Sequence, residues 1–296
     1  MEPNIRDPYV LPYQGKYYMY GTRSATCWGR ADGFDCYVSD DLQQWEGPFE
    51  VFHRPDGFWA VQNFWAPECY YYHGKFCLIA TLGDEQGRKC VNLLQSDSPL
   101  GPFRYVSQLT DPRMQAIDGT LYLEGDAPYL VYSRSFENGG QGEMETVRLS
   151  QDLTRPEGNP FLLFSAPEAP WAIPIPWAKE EFGMEGEVYF TDGPVVHTMK
   201  NGMLAIIWSS WSGGGYAVGA AISRSGKLTG PWEQQKELLF PKNGGHGMLF
   251  TKWDGSMTYA LHYPDDKYHE HPLFLDFLEE GDKLRLAEMD GAQCRG

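Results

Sequence analysis

The chain has 296 residues, with 24 Lys and Arg against 40 Asp and Glu, giving a formal charge of −16. So acidic a chain, with no run of Lys or Arg, excludes a nucleic-acid binder and does not suit an anionic membrane face; it also lacks the stretch of about 18 apolar residues that spans a bilayer. With 42% hydrophobic residues, 15% aromatic, 33 Gly and 21 Pro, the composition rules out disorder and disfavours a helical bundle, pointing instead to many short strands joined by tight turns.

In chain order, the N-terminal MEPNIRDPYV has neither a basic nor an apolar leader segment, so no secretion signal is expected and a cytoplasmic protein is. The first predicted hairpin is RDPYVLPYQGKYYMYGT (6–22), and four more segments share its outline. They are WAPECYYYHGKFCLIATL (65–82), IDGTLYLEGDAPYLVYS (117–133), TDGPVVHTMKNGMLAIIWSS (191–210) and GHGMLFTKWDGSMTYALHY (245–263). Each runs from a polar residue through a strand and a Gly-bearing turn into an aromatic or aliphatic strand. Asn201-Gly202 and Asp254-Gly255 predict two-residue hairpin turns with positive φ at both central positions, and Gln14-Gly15 and His73-Gly74 are weaker versions. A second element follows four of the hairpins: SDDLQQWEGPF (39–49), SDSPLGPF (96–103), SQDLTRPEG (150–158) and SRSGKLTGPW (223–232). One hairpin plus one such element makes about four antiparallel strands per unit, and five units make an all-β, five-bladed β-propeller. That domain takes up the whole chain, 1–296, with no appended binding module. Blades of about 40–45 residues would suit a WD-type interaction scaffold; these are longer. The six cysteines form no CxxC pair and read as free thiols.

In a propeller the innermost strand of each blade lines the central channel. The aligned polar residues Asp7, Glu68, Asp118, Asp192 and His246 are therefore expected to converge on the axis. Carboxylates sharing such a site repel one another, raise each other's pKa and titrate as coupled groups, which calls for a function or a cation. Two carboxyl groups across a pocket suit glycoside hydrolysis, one protonating the leaving oxygen while the other activates water. Aromatic rings offer the faces that sugars stack on: Trp28, Trp59, Phe64, Trp65, Trp208 and Trp211 are candidates, whereas Trp45 and Trp232 belong to blade packing. Glu68, Arg134, Trp28, Trp65 and Trp211 are the expected substrate contacts. The long connection at 165–190 predicts a rim over the funnel, with Trp171 and Trp177 as sugar contacts or, equally, as packing.

Arg6-Asp7-Pro8, Trp65-Ala66-Pro67-Glu68, Ile117-Asp118-Gly119-Thr120, Gly244-Gly245-His246-Gly247 and His269-Glu270-His271-Pro272 together resemble glycoside hydrolase family 43 over residues 4–275. The resemblance implies an inverting arabinofuranosidase or xylosidase acting on a terminal pentose or furanose unit of short plant-type oligosaccharides. It implies Asp7 as general base and Asp118 as the residue that orients the acid. The family's acid is a Glu in a Glu-Gly-Pro or Glu-Ala-Pro motif, where this chain has Asp192-Gly193-Pro194. Asp is one methylene shorter, and three readings follow. Asp192 is still the acid; Glu187 or Glu185 reaches in; or hydrolysis is lost and the propeller only binds sugar. The resemblance also implies a calcium near the axis held by His246, directly or through water, with no cofactor in the chemistry itself. A retaining fructosidase is the remaining alternative, echoed in Glu68-Cys69, but the motif order differs from the one that chemistry uses.

Overall fold

A computed structural model describes residues 2–139 and 141–288; Cys294 lies outside the described residues. Five four-stranded antiparallel sheets follow one another along the chain. Blade I comprises β1 (Ile5–Tyr13), β2 (Lys16–Arg23), β3 (Gly33–Ser39) and β4 (Glu46–His53). Blade II comprises β5 (Gln62–Tyr72), β6 (Lys75–Gly83), β7 (Lys89–Ser96) and β8 (Arg104–Gln108). Blade III comprises β9 (Ala116–Glu124), β10 (Ala127–Arg134), β11 (Glu143–Leu149) and β12 (Pro156–Ser165). After a short helix, α1 (Ala178–Phe182), blade IV comprises β13 (Asp192–Thr198), β14 (Leu204–Ser212), β15 (Gly215–Ser223) and β16 (Glu233–Gln234). Blade V comprises β17 (Gly245–Thr251), β18 (Met257–Tyr263), β19 (His271–Glu280) and β20 (Lys283–Glu288). This is the five-bladed propeller the hairpin count predicts. Among the described residues no helix is long and apolar enough to cross a membrane.

Each sheet is packed on both faces by its neighbours, so the middle strands read as continuous apolar runs rather than alternating ones. In β6 (KFCLIATLG) every residue after Lys75 is buried, and β14 is buried from Leu204 to Ser210. The five described cysteines, Cys27, Cys36, Cys69, Cys77 and Cys90, are all buried free thiols, behaving as small apolar residues.

The turns invert the sequence expectation. Gln14-Gly15 and His73-Gly74 make the two-residue turns, with φ of 48° and 82°, and 46° and 81°, closing the pairs Tyr13–Lys16 and Tyr72–Lys75. Asn201-Gly202 and Asp254-Gly255 sit instead in longer loops closed by Thr198–Leu204 and Thr251–Met257, where only the Gly has positive φ. The side chains explain why. Asn201 Oδ1 accepts the Met203 N–H at 3.0 Å and Asp254 Oδ1 accepts the Ser256 N–H at 2.9 Å, so each caps its own loop and needs no left-handed backbone.

The ring closes between blades V and I through side chains, since no strand is exchanged between the two sheets. Asn4 donates to the carbonyls of Tyr268 (3.1 Å) and Glu270 (2.8 Å). Arg6 Nη1 reaches Asp265 (2.8 Å) and the fully buried Glu270 (2.7 Å), and Ser24 Oγ donates to the other oxygen of Glu270 (2.7 Å). The motif around Glu270 is thus the clasp of the ring.

Candidate active site

Every innermost strand carries a β-bulge at the same level. Residues with positive φ stand there: Asp7 (53°), Ala66 (46°), Asp118 (56°), Gly193 (48°) and His246 (43°). The register slips on passing each of them, as between Arg6 and Tyr9, Trp65 and Glu68, Asp192 and Val195, and Gly245 and Met248. A bulge re-aims side chains, and strained φ values gather where function over-determines them. This ring corrects the sequence alignment in two blades. Asp192 stands one residue before the bulge. Glu68 stands two residues after it, and so one layer deeper in the channel, level with Tyr9, Thr120, Val195 and Met248.

A second ring supports the first. The N–H of Ala66 donates to Thr22 Oγ1 (2.8 Å), that of Asp118 to Thr81 Oγ1 (3.0 Å), that of His246 to Ser209 Oγ (2.9 Å) and that of Asp7 to His262 Nδ1 (3.3 Å). Each acceptor lies on the second strand of the preceding blade. At the remaining seam the Gly193 N–H faces Asp118 Oδ2 instead (3.5 Å), and the Ser133 hydroxyl is buried without a partner. Gly193 must be glycine, since a Cβ there would lie 2.7 Å from His246 Cγ.

His246 gathers the carboxylates. Its Nδ1 lies 3.1 Å from Asp192 Oδ1, 3.4 Å from Asp7 Oδ1 and 3.9 Å from Asp118 Oδ2. Burial alone would discharge this imidazole, but the three carboxyl groups outweigh it and hold its pKa at about 10. Burial likewise works against charge on Asp7, yet the His246 cation above all, with Arg6, brings it well below the usual carboxylate range. Thr22 also donates to Asp7 Oδ2 at 2.5 Å. Asp118 and Asp192 behave as one unit. Burial and the Asp192 charge push Asp118 well up, while Asp192 stays ionised against its burial through the Asp118 hydrogen bond, His246 and a 2.6 Å bond from the Tyr216 hydroxyl. The pair shares one proton between its two carboxyl groups. With His246 protonated, the whole cluster carries a single net negative charge, which relieves the repulsion expected of bare carboxylates.

The cluster lies at the floor of a cavity of about 500 Å³, within the usual range for ligand sites. Trp28 and Trp65 line one wall, 6.0 Å apart and edge-on, and Trp177 and Trp211 another, 4.2 Å apart. Ile175, Trp177, Glu181, Phe182 and Phe190 bring the 165–190 region to the wall as expected, but Trp171 packs on Trp208 in the blade IV core (4.7 Å). Trp59 and Phe64 also lie off the cavity, and Trp208 is fully buried.

Three expected site residues do not reach the cavity. Glu187 is exposed: its neighbour Val188 is buried with Ile175 and Ala178, which turns Glu187 to the opposite, solvent side, and Glu185 pairs with Lys179 at 3.1 Å. Arg134 is tied to Glu145 (3.3 Å) within blade III. Glu68, in its deeper layer, meets the Tyr70 hydroxyl, which in turn contacts Thr120 Oγ1 at 3.0 Å. Burial pushes its pKa up to about 7. Sequence reasoning missed Tyr216, Lys89, Glu137, Glu181 and Asp265, all on the cavity wall, and His262 behind Asp7. Of these only His262 left a trace, because it occupies the Thr22/Thr81/Ser133/Ser209 position of the hairpin repeat.

As for a cation, Asp118, Asp192 and His246 offer donor atoms within 4.8 Å of one another. Calcium takes six to eight oxygens, whereas this set offers two carboxylates and a nitrogen whose proton the carboxylates already hold. As a direct calcium cage these three side chains do not fit.

The model of glycosyl hydrolases family 43 matches residues 2–276. The chain belongs to glycoside hydrolase family 43. It is a glycoside hydrolase acting on O-glycosyl bonds, which sets aside a propeller that only binds sugar. Among solved structures, the endo-arabinase from Bacteroides thetaiotaomicron is similar at 32% identity over 95% of this chain and 96% of that one, with a TM-score of 0.85. An endo-1,4-beta-xylanase from the same organism is 27% identical over 97% and 96%, TM-score 0.74. The fold is shared with an alpha-L-arabinofuranosidase from Lactobacillus brevis, 20% identical over 96% and 93%, TM-score 0.75. No curated protein matches the chain in sequence.

Proposed function

We propose that this family 43 enzyme removes a terminal pentose unit, arabinofuranosyl or xylosyl, from plant-type oligosaccharides in a single inverting step. The observation that carries the reading is one ionised carboxylate, one proton-sharing acid pair and one imidazole together on the floor of a Trp-walled cavity. Asp7, ionised and held by Thr22, takes a proton from water as that water attacks the anomeric carbon. The Asp118–Asp192 pair supplies the proton for the departing oxygen. Asp192 is the arm that reaches the substrate, since its side chain is 19% exposed against 4% for Asp118. Tyr216 and His246 fix the short Asp192 side chain where the family has a longer Glu.

A second reading, cleavage within an arabinan chain, is favoured by the likeness to an endo-arabinase across nearly the whole of both chains. Products separate the two. Incubation with linear arabino-oligosaccharides and a panel of nitrophenyl pentosides should release monosaccharide alone, with the inverted anomer first in the proton spectrum. Mixed short oligomers from the start would favour internal cleavage, and a retained anomer would overturn the mechanism. Asp7→Asn should lower turnover at least about a hundredfold.

A further inference from the structure

Four of the five seams between blades place a Thr or Ser hydroxyl on the second strand, and the seam behind Asp7 places His262. A hydroxyl is enough to receive a backbone N–H, as Thr22, Thr81 and Ser209 do. An imidazole at the equivalent position can also take up a proton, and this is the one seam that stands behind the base. Resting on the reading of Asp7 as base, we propose that His262 is its positioning residue: it anchors the Asp7 backbone and receives the hydrogen bond of the Asp7 carboxyl once that group has taken the proton of the attacking water.

The geometry sets the tautomer. His262 is fully buried, and its Nδ1 accepts the Asp7 N–H at 3.3 Å, so the ring proton stands on Nε2, which faces Asp265 Oδ1 at 3.4 Å. Asp265 is held in turn by Arg6 at 2.8 Å, and the imidazole is stacked on Tyr216, 5.6 Å away and 16° from parallel. Asp7, Asp265, Arg6 and Tyr216 are the titratable groups facing His262. The ring cannot rotate without breaking contacts on both edges and one face. Its Nδ1 lone pair also lies 3.4 Å from Asp7 Oδ1. In the resting enzyme that oxygen is ionised and the lone pair serves the backbone. During attack one water O–H bond breaks and the water oxygen bonds to the anomeric carbon as the glycosidic C–O bond breaks; the departing oxygen takes the proton of the Asp118–Asp192 pair, and the water's proton passes to Asp7. The new Asp7 O–H then takes the single lone pair of His262 Nδ1 in place of the Asp7 N–H. After the sugar leaves, Asp7 gives its proton to solvent, the acid pair takes one up, and the resting state is restored. Asp265 acts here as the group that keeps Nε2 protonated and Nδ1 free, the role a carboxylate plays behind many working histidines.

Two measurements on the intact enzyme test this. Nitrogen-15 spectra of the imidazoles, with His262→Gln used to assign the signal, should show His262 protonated at Nε2 and bare at Nδ1; a proton on Nδ1 overturns the proposal. In kinetics on the substrates the wild type turns over, His262→Gln keeps an acceptor for the Asp7 N–H but offers the new Asp7 O–H a carbonyl oxygen far less basic than an imidazole nitrogen. It should lose about ten- to a hundredfold in kcat with KM unchanged, and shift the base limb of the pH profile, while remaining folded. Wild-type kcat and pH profile in His262→Gln, or a loss confined to KM, overturns the proposal. Asp7→Asn run alongside separates the two levels. A dead Asp7→Asn with a fully active His262→Gln removes only the role of His262, whereas an active Asp7→Asn removes the base assignment itself.

Discussion

Two layers of the same channel, two residues apart along the innermost strands, solve the burial of carboxyl groups in opposite ways. In the bulge layer, Asp7 and Asp192 stay ionised because one imidazolium and several donors surround them. In the layer beneath, Glu68 has hydroxyl partners and burial pushes its pKa up to about 7. Burial is the opposing influence in both. What differs is the supply of counter-charge, concentrated by the bulges at the cavity floor and spent before the deeper layer is reached. Charge persists at the upper level across the neutral range, whereas the lower carboxyl keeps its proton up to a pH of about 7.

The comparison can be broken at four points, the first with the largest effect. Asp7→Asn deletes the carboxylate of the upper layer that is free of a shared proton, and turnover should fall at least about a hundredfold. His246→Gln removes the charge that lets the layers differ. Unfolding should show a loss of about 3–5 kcal/mol near neutral pH, as for other buried ionic clusters deprived of one partner. The sign follows from linkage. His246 rises from 6.5 to about 10 on folding, so its contribution is complete below pH 6.5 and declines as pH rises to 10. The variant should lose that slope, and an unchanged slope would contradict the assignment. Gly193→Ala drives a Cβ to 2.7 Å from His246 Cγ in a left-handed backbone, and should cost about 2–4 kcal/mol together with activity. Glu68→Gln should have the smallest effect and the opposite sign. The carboxyl binds its proton more tightly when folded, so its contribution is complete below pH 4.5 and lost as pH rises to about 7. Above that pH the Gln variant should be more stable by about 3 kcal/mol, with kcat unchanged. A large loss of turnover in Glu68→Gln would place it in the reacting layer after all.

Much of this was legible in the sequence, for physical reasons. A hairpin repeated five times has one economical closure, and Asp7, Asp118 and His246 open their hairpins in equivalent positions. Asp192 and Glu68 were harder, because a bulge displaces side chains by a residue or two without a mark in composition. Glu187 looked available until the burial of Val188 fixed the side it faces. The Asn-Gly and Asp-Gly pairs misled for a related reason: the same side chains that tolerate left-handed backbone also cap a longer loop. Tyr216 and Asp265 had no signal at all, since each comes to the cavity from outside the innermost strands. His262 stood in plain alignment with three other side chains whose hydroxyls anchor the ring, and its difference from them is what gives it meaning.

The clasp of Arg6 with Asp265 and Glu270 has a consequence for how the enzyme comes into being. The last blade supplies His246, His262 and the partners of Arg6, while the first supplies Asp7. During synthesis, a chain that has emerged only through blade IV holds Asp7, Asp118 and Asp192 without the imidazole that gathers them. The cluster is therefore complete only once the last blade has closed the ring.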